Sequence, residues 1–276
     1  LAGCLFLVFE FRSSSNLAAA YGIAVTGTML ITTLLTYVVM KRRWGWSLWL
    51  SLPTILVFLV IDLSFLSANA LKFWDGGWFP VTLGALIFVL MTSWKSGRRV
   101  LGERLAEVSP SLDEFLLKVV PTISSRKRGN AVFMTGSANG APSSLIQNVR
   151  HNGVLHEQVI LMTIATEETP HVTESERITI TNEGAGFFRV VAHYGFMESP
   201  DVPDILLKCE NLGLKIDIQQ TTFYLGRETL VSKSRFNMAF WRQKVFIFMM
   251  RNSKRATDYF KIPSDQAIEI GTVVEI

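Results

Sequence analysis

Residues 13–40 read SSSNLAAAYGIAVTGTMLITTLLTYVVM, without one charged side chain. Crossing the hydrocarbon core of a bilayer takes about 20 apolar residues, so this stretch is long enough to span. Two more follow it. Residues 76–94, GGWFPVTLGALIFVLMTSW, are also uncharged, and residues 44–71 carry a single charge, Asp62. A buried helix of a soluble domain is rarely so long and so poor in charge. Three membrane spans are therefore expected, at about 13–40, 47–71 and 76–95.

The overall composition averages two different polymers. Only 18% of the 276 residues are charged, against about 25% in soluble proteins, and mean hydropathy is +0.31. Before Lys95 the acids are Glu10, Asp62 and Asp75, and the bases are Arg12, Lys41, Arg42, Arg43 and Lys72. Beyond Lys95 acids and bases occur at the density of a globular domain and nearly balance. The pI near 9.1 reflects in part the bases that flank the spans, so it reads as topology rather than a nucleic-acid footprint. Cys4 lies in an apolar segment and Cys209 in the later part, with no metal spacing, which argues against a disulfide framework. Residues 1–11 are apolar, with no initiator Met, basic n-region or small-residue cleavage site. They are expected to be the end of a span that starts earlier, making the chain part of a longer protein.

Orientation follows from the bases. Lys41, Arg42 and Arg43 lie two spans away from Lys95, Arg98 and Arg99, so both groups share a side, whereas Lys72 and Asp75 between them cancel. Positive charge favours the cytoplasmic face, which puts everything after Arg99 in the cytoplasm. Trp44, Trp46, Trp74, Trp78 and Trp94 fall at the expected span ends, as an interfacial aromatic belt does.

Within the first span Ser14, Ala18, Gly22 and Thr26 recur every four residues. Such a stripe of small side chains lets helix backbones approach closely in lipid. Tyr21, Thr28 and Thr32 form a polar line on a neighbouring face. Their hydroxyls suit partial replacement of an ion's hydration shell, or equally a packed helix whose threonines bond back to their own carbonyls. Asp62 sits near the middle of the second span, where a carboxylate either serves an ion or proton path or is held by a neighbour such as Ser64.

After a linker at 100–129, containing a short helix from near Pro110 to Pro121, the pattern turns mixed. Residues 131–135, 158–166, 177–181, 187–193, 221–225 and 267–276 read as strands, and 143–151, 201–211 and 236–250 as helices. The fold class is thus an α-helical membrane segment, 1–99, followed by a soluble α/β domain, 130–276. The 236–250 helix is very apolar but interrupted by Arg242 and Lys244, so it reads as buried or interfacial rather than a fourth span. The loop Gly136, Ser137, Ala138, Asn139, Gly140 follows a strand and precedes a helix, a geometry that can present amides to a phosphate. It matches neither a Walker loop nor GxGxxG, so it equally reads as an ordinary loop. His151 and His156 lack the spacing of a metal site. Glu167, Glu168 and His171 cluster without a nucleophile, and no metal, cofactor or catalytic residue is expected.

SSSNLAAAYGIAVTGTM (13–29) resembles the tenth span of the Kup/HAK/KT potassium uptake permeases. GGWFPVTLG (76–84) and MTSWKSGR (91–98) resemble their twelfth span and its exit. HNGVLHEQVILMTIATEETPHV (151–172), FFRVVAHYGFMESPDV (187–202) and IEIGTVVEI (268–276) resemble their cytoplasmic tail. The resemblance covers essentially the whole chain. It implies a twelve-span carrier of the amino acid–polyamine–organocation (LeuT-like) type, with inverted repeats and substrate held at discontinuous helices near the midplane. It implies potassium import coupled to protons, and it makes Tyr21, on the tenth span, a candidate ligand or gate. The main potassium site is expected on helices outside this chain. Expected partners are membrane lipid, the remaining transporter helices and, as an open option, a second copy. The alternative function is a nucleotide-sensing regulatory module on a membrane anchor.

Overall fold

The computed structural model describes residues 2–123, 125–136, 140–231 and 238–275. Ser137 and Asn139 of the glycine-flanked loop therefore lie outside the described residues. The chain divides into two units, Leu1–Thr92 and Ser93–Ile276.

The first unit begins with α1 (Ala2–Phe11) and α2 (Ser14–Arg42). Arg12, with φ +49°, breaks the helix between them. Ser13 then caps α2, its Oγ accepting from the Ser15 N–H at 3.2 Å. At about 1.5 Å per residue, α2 and α3 (Leu48–Ala70) each exceed the ~30 Å hydrocarbon thickness. Gly22 of α2 faces Asn69 and Thr33 faces Asp62, so the two helices pack antiparallel. Ala19, Ile23 and Thr26 of α2 and Ser51, Ile55 and Asp62 of α3 are buried. A π-helical turn, Phe73–Gly77, leads into α4 (Trp78–Val108). The turn depends on its glycines. A Cβ on Gly76, whose φ is +155°, would strike the Asn16 carbonyl oxygen, and one on Gly77 would strike the end of the Ile23 side chain. Among the described residues three helices, α2, α3 and α4, are long and apolar enough to cross a membrane.

The second unit holds a six-stranded sheet in the order β3-β4-β2-β1-β5-β6. Its strands are β1 (Ser125–Thr135), β2 (Val154–Glu167), β3 (Ile178–Gly184), β4 (Phe187–Gly195), β5 (Thr221–Val231) and β6 (Ala267–Glu275). β3 runs antiparallel to β4, and the other pairs are parallel. Around them lie α5 (Leu112–Lys118), α6 (Ser143–Asn152), α7 (Val202–Asn211), α8 (Phe240–Arg251) and the short α9 (Ala256–Tyr259).

Strand alternation builds the core. Val132, Ile160, Met162 and Phe223 pack with Ile205, Leu206 and Cys209 of α7 on one face. Ala131, Phe133, Leu161 and Tyr224 pack with Phe115 of α5 and Leu145 of α6 on the other. Strands buried on both faces carry continuous apolar runs, which is why 131–134 and 159–162 have no polar side. Two helix ends are set by single residues. Asp201 caps α7 by accepting from the Asp204 N–H at 3.2 Å, and Gly153, in the left-handed region at φ +64°, closes α6.

The region 100–129 holds the short helix expected between Pro110 and Pro121, as α5 (112–118), but differs from a linker at both ends: residues 100–108 continue α4, and β1 starts at Ser125. The bases that end the apolar run end the membrane pattern without interrupting the helical hydrogen bonds. Ser125–Lys127 also pairs with Val154–His156, and an irregularity before Asn130, with Gly129 at φ +100°, resets the register. A run as basic as RKR reads as linker by composition, whereas its backbone is strand.

Candidate functional site

In the first unit the residues singled out by sequence fall on two faces. Asp62 is 4% exposed, and the Thr33 hydroxyl donates to its Oδ2 at 2.6 Å. Ser64, the neighbour considered for it, instead donates to the Val60 carbonyl at 2.7 Å. The partner is thus on the facing helix. Thr33 has a legible signal, since it continues the stripe of Gly22 and Thr26 by seven residues and so returns to the same face.

The line of Tyr21, Thr28 and Thr32 lies roughly a third of a turn away from that stripe, and the structure does not bring it to Asp62. Tyr21 is 72% exposed. Thr28 and Thr32 donate to the carbonyls of Ala24 and Thr28, at 2.8 and 2.9 Å. In lipid such back-bonding satisfies a hydroxyl within its own helix. The small-residue stripe also divides. Gly22 and Thr26 sit against α3, whereas Ser14 and Ala18 line, with Leu7, Phe11, Tyr21 and Phe79, an apolar hollow.

In the second unit chain order reverses across β1, with β2 on one side and β5 on the other. Open α/β sheets hold ligands in the crevice outside the strand carboxyl ends at such a point. A cleft of about 420 Å³ lies there, lined by Thr135 and Gly136 after β1, Gly226 and Glu228 of β5, Ser143 at the start of α6, and Arg98 and Leu105 of α4. Of the glycine-flanked loop, Gly136 lines the cleft and Gly140 holds a left-handed φ of +84°. The elements that meet here are far apart in sequence, so the loop was the only part legible beforehand.

The remaining polar residues form separate structural pairs. Glu167 meets His193 Nδ1 at 2.6 Å, whereas Glu168 and His171 are exposed. His151 is exposed, and His156 is buried against Tyr224. Burial, reinforced by nearby Lys127, pushes the His156 imidazole below its usual range. Arg177 donates to both oxygens of Glu198, at 2.7 and 3.4 Å, and the Gly195 N–H donates to Glu198 at 2.7 Å. These bonds, the Arg177 one foremost, pull the Glu198 carboxyl down to about 2. Among the described residues no three His, Cys, Asp or Glu side chains are placed to hold a metal.

Two family matches cover most of the chain in order. Residues 1–99 match the K+ potassium transporter integral membrane domain, and residues 128–276 match the K+ potassium transporter C-terminal domain. The chain belongs to the Kup/HAK/KT potassium transporter family. It is 48% identical over 276 residues to a probable potassium transport system protein Kup of Myxococcus xanthus, covering 100% of this chain and 42% of that protein. It is likewise 48% identical to Kup 2 of Chromobacterium violaceum, 44% of which it covers. Kup 1 of Paramagnetospirillum magneticum is 46% identical over 277 residues, with 43% of its length covered. The chain thus spans less than half the length of these relatives. The family is one of membrane transporters, and α2, α3 and α4 supply helices of matching character.

Proposed function

We propose that this chain is the carboxy-terminal part of a potassium uptake permease that imports K+ together with H+. The observation that carries this reading is the ordered pair of family matches, membrane domain then C-terminal domain, on a chain with three span-length helices and an α/β unit. In the whole protein the spans belong to an inverted-repeat carrier of the LeuT-like kind, and the potassium site lies mainly on helices outside this chain. The bases at 41–43 and 95–99 support a cytoplasmic location for the second unit.

In this reading Tyr21 contributes a hydroxyl to the ion path or its gate, because its side chain is exposed on the span that the resemblance sets beside that path. Asp62, held by Thr33 in a helix contact, serves packing. The test is growth of cells lacking other potassium importers on limiting potassium, with the full-length parent supplied. Rescue by the parent, weakened by Tyr21→Ala, supports both statements. No rescue removes potassium uptake, and full rescue by Tyr21→Ala removes that residue from the path.

A second reading concerns regulation, and the crevice beside β1 favours it. An adenine nucleotide bound there would make the second unit a sensor for the spans. Binding raises the thermal midpoint of the chain in proportion to ligand occupancy. An unchanged midpoint across adenine nucleotides discards the sensor.

A further inference from the structure

α8 presents two unlike faces. Gln243 and Phe246 are buried, with Phe246 against Trp94 at 5.5 Å between ring centroids and over Gly97, where a Cβ would overlap its ring. Arg242 reinforces the contact by donating to Ser93 Oγ at 3.1 Å. The docking point is informative. Residues 93–97 are where the uncharged run of α4 ends at Trp94 and the first base, Lys95, appears, which is the signature of a span leaving the hydrocarbon core.

The opposite face is exposed and repeats at helical spacing: Phe240, Trp241, Lys244, Phe248 and Arg251. Phe248 is 68% exposed, and the Lys244 ammonium lies 4.6 Å from the centroid of the Phe240 ring. From Ala239 to Thr257 the sequence holds Arg242, Lys244, Arg251, Lys254 and Arg255 and no acid. Large exposed aromatic side chains on a soluble surface mark an interaction site. Aromatic rings alternating with bases suit the headgroup region, where rings enter the acyl boundary and ammonium and guanidinium groups stay with phosphates. At 12 residues, α8 is too short to cross a bilayer, which takes about 20.

We propose that α8 is a membrane-surface helix whose outward face lies among the headgroups of anionic phospholipid, beside the exit of the third span. Phe240, Trp241 and Phe248 enter the acyl boundary, and Lys244 and Arg251 pair with lipid phosphates. The assignment requires only that α4 spans the membrane and is independent of the ion transported. A base close to an anionic surface contributes about fivefold to partitioning, so the contact depends on lipid charge as well as on the aromatic rings.

The test places a spin label at Phe248→Cys in the full chain carrying Cys4→Ala and Cys209→Ala, so that position 248 holds the one thiol. The labelled chain is reconstituted in phosphatidylcholine vesicles with or without a third of the lipid as phosphatidylglycerol. Residue 248 points outward, so labelling leaves the packing on α4 intact. The expected result, with phosphatidylglycerol present, is greater collisional access for oxygen than for a water-soluble nickel chelate. That preference should fall at least fivefold in pure phosphatidylcholine, and likewise in Lys244→Glu/Arg251→Glu. A label open to the nickel chelate in both vesicles puts the face in water and overturns the proposal. A label shielded from both reagents puts it under protein, another part of the transporter or a second copy, and also overturns it. Identical oxygen preference in both vesicles overturns the role of lipid charge.

Discussion

Asp62 is the one acidic side chain of α2 and α3, and Thr33 answers it from the facing helix at 2.6 Å. Removing one partner of a buried hydrogen bond strands the other, whereas an isosteric acceptor keeps the bond. Thr33→Val is therefore expected to destabilise the α2–α3 pair by about 1–3 kcal/mol, and Asp62→Asn by less, since the amide oxygen still accepts. Reversible unfolding of the chain in mixed micelles measures both, and equal losses would show that the bond carries little. The pair was half legible: an isolated Asp in an apolar span announces a need for a partner, but the partner sits 29 positions away and only helix packing supplies it.

Two further residues make stability of the second unit depend on pH, each with its own window. The His156 imidazole is pushed down by burial, so below about 6.5 the unfolded chain takes up a proton that the folded chain refuses, and stability falls with pH. Glu198 is pulled down to about 2 from an ordinary 4.5. Its contribution is complete above 4.5 and is lost as pH falls from there to about 2. His156→Phe is expected to flatten the first window and Glu198→Gln the second, read as thermal midpoints across pH. A midpoint profile unchanged by either substitution contradicts the assignment.

At the scale of elements, the turn before α4 rests on two adjacent glycines with different obligations. Gly76 has φ +155° and its missing Cβ leaves room for the Asn16 carbonyl, a backbone atom that cannot swing aside. Gly77 faces the tip of Ile23, a side chain that can rotate. Gly76→Ala should accordingly cost about 1–3 kcal/mol and Gly77→Ala clearly less, measured by the same micelle unfolding. A larger loss at Gly77 would mean that Ile23 is locked.

Elements were legible where the pattern is set by solvent. Charge-free runs at 13–40 and 76–94 announced long apolar helices, and the apolar runs at 131–134 and 159–162 announced strands buried on both faces. They were illegible where solvent pattern and backbone part company. α4 continues past Lys95 to Val108 because its hydrogen bonds are indifferent to the change from lipid to water. Arg126 and Lys127 belong to β1 because the backbone of β2 pairs with them, a fact no composition records. The crevice is similar, since β1, β5 and α6 meet there only through the sheet order.

At the scale of the molecule, the chain joins span-length helices that expose apolar side chains to an α/β unit with its own core. Exposed leucines, valines and phenylalanines along α2, α3 and α4 are stable only against lipid or further helices. That agrees with a chain covering 42% of its Myxococcus xanthus relative. The direct measurement is initial potassium uptake by the full-length parent, in cells lacking other importers, as external pH is varied. Uptake that rises as the medium is acidified is the result predicted for a carrier of K+ with H+. Uptake indistinguishable from that of cells without the protein, at every pH, would contradict the central claim.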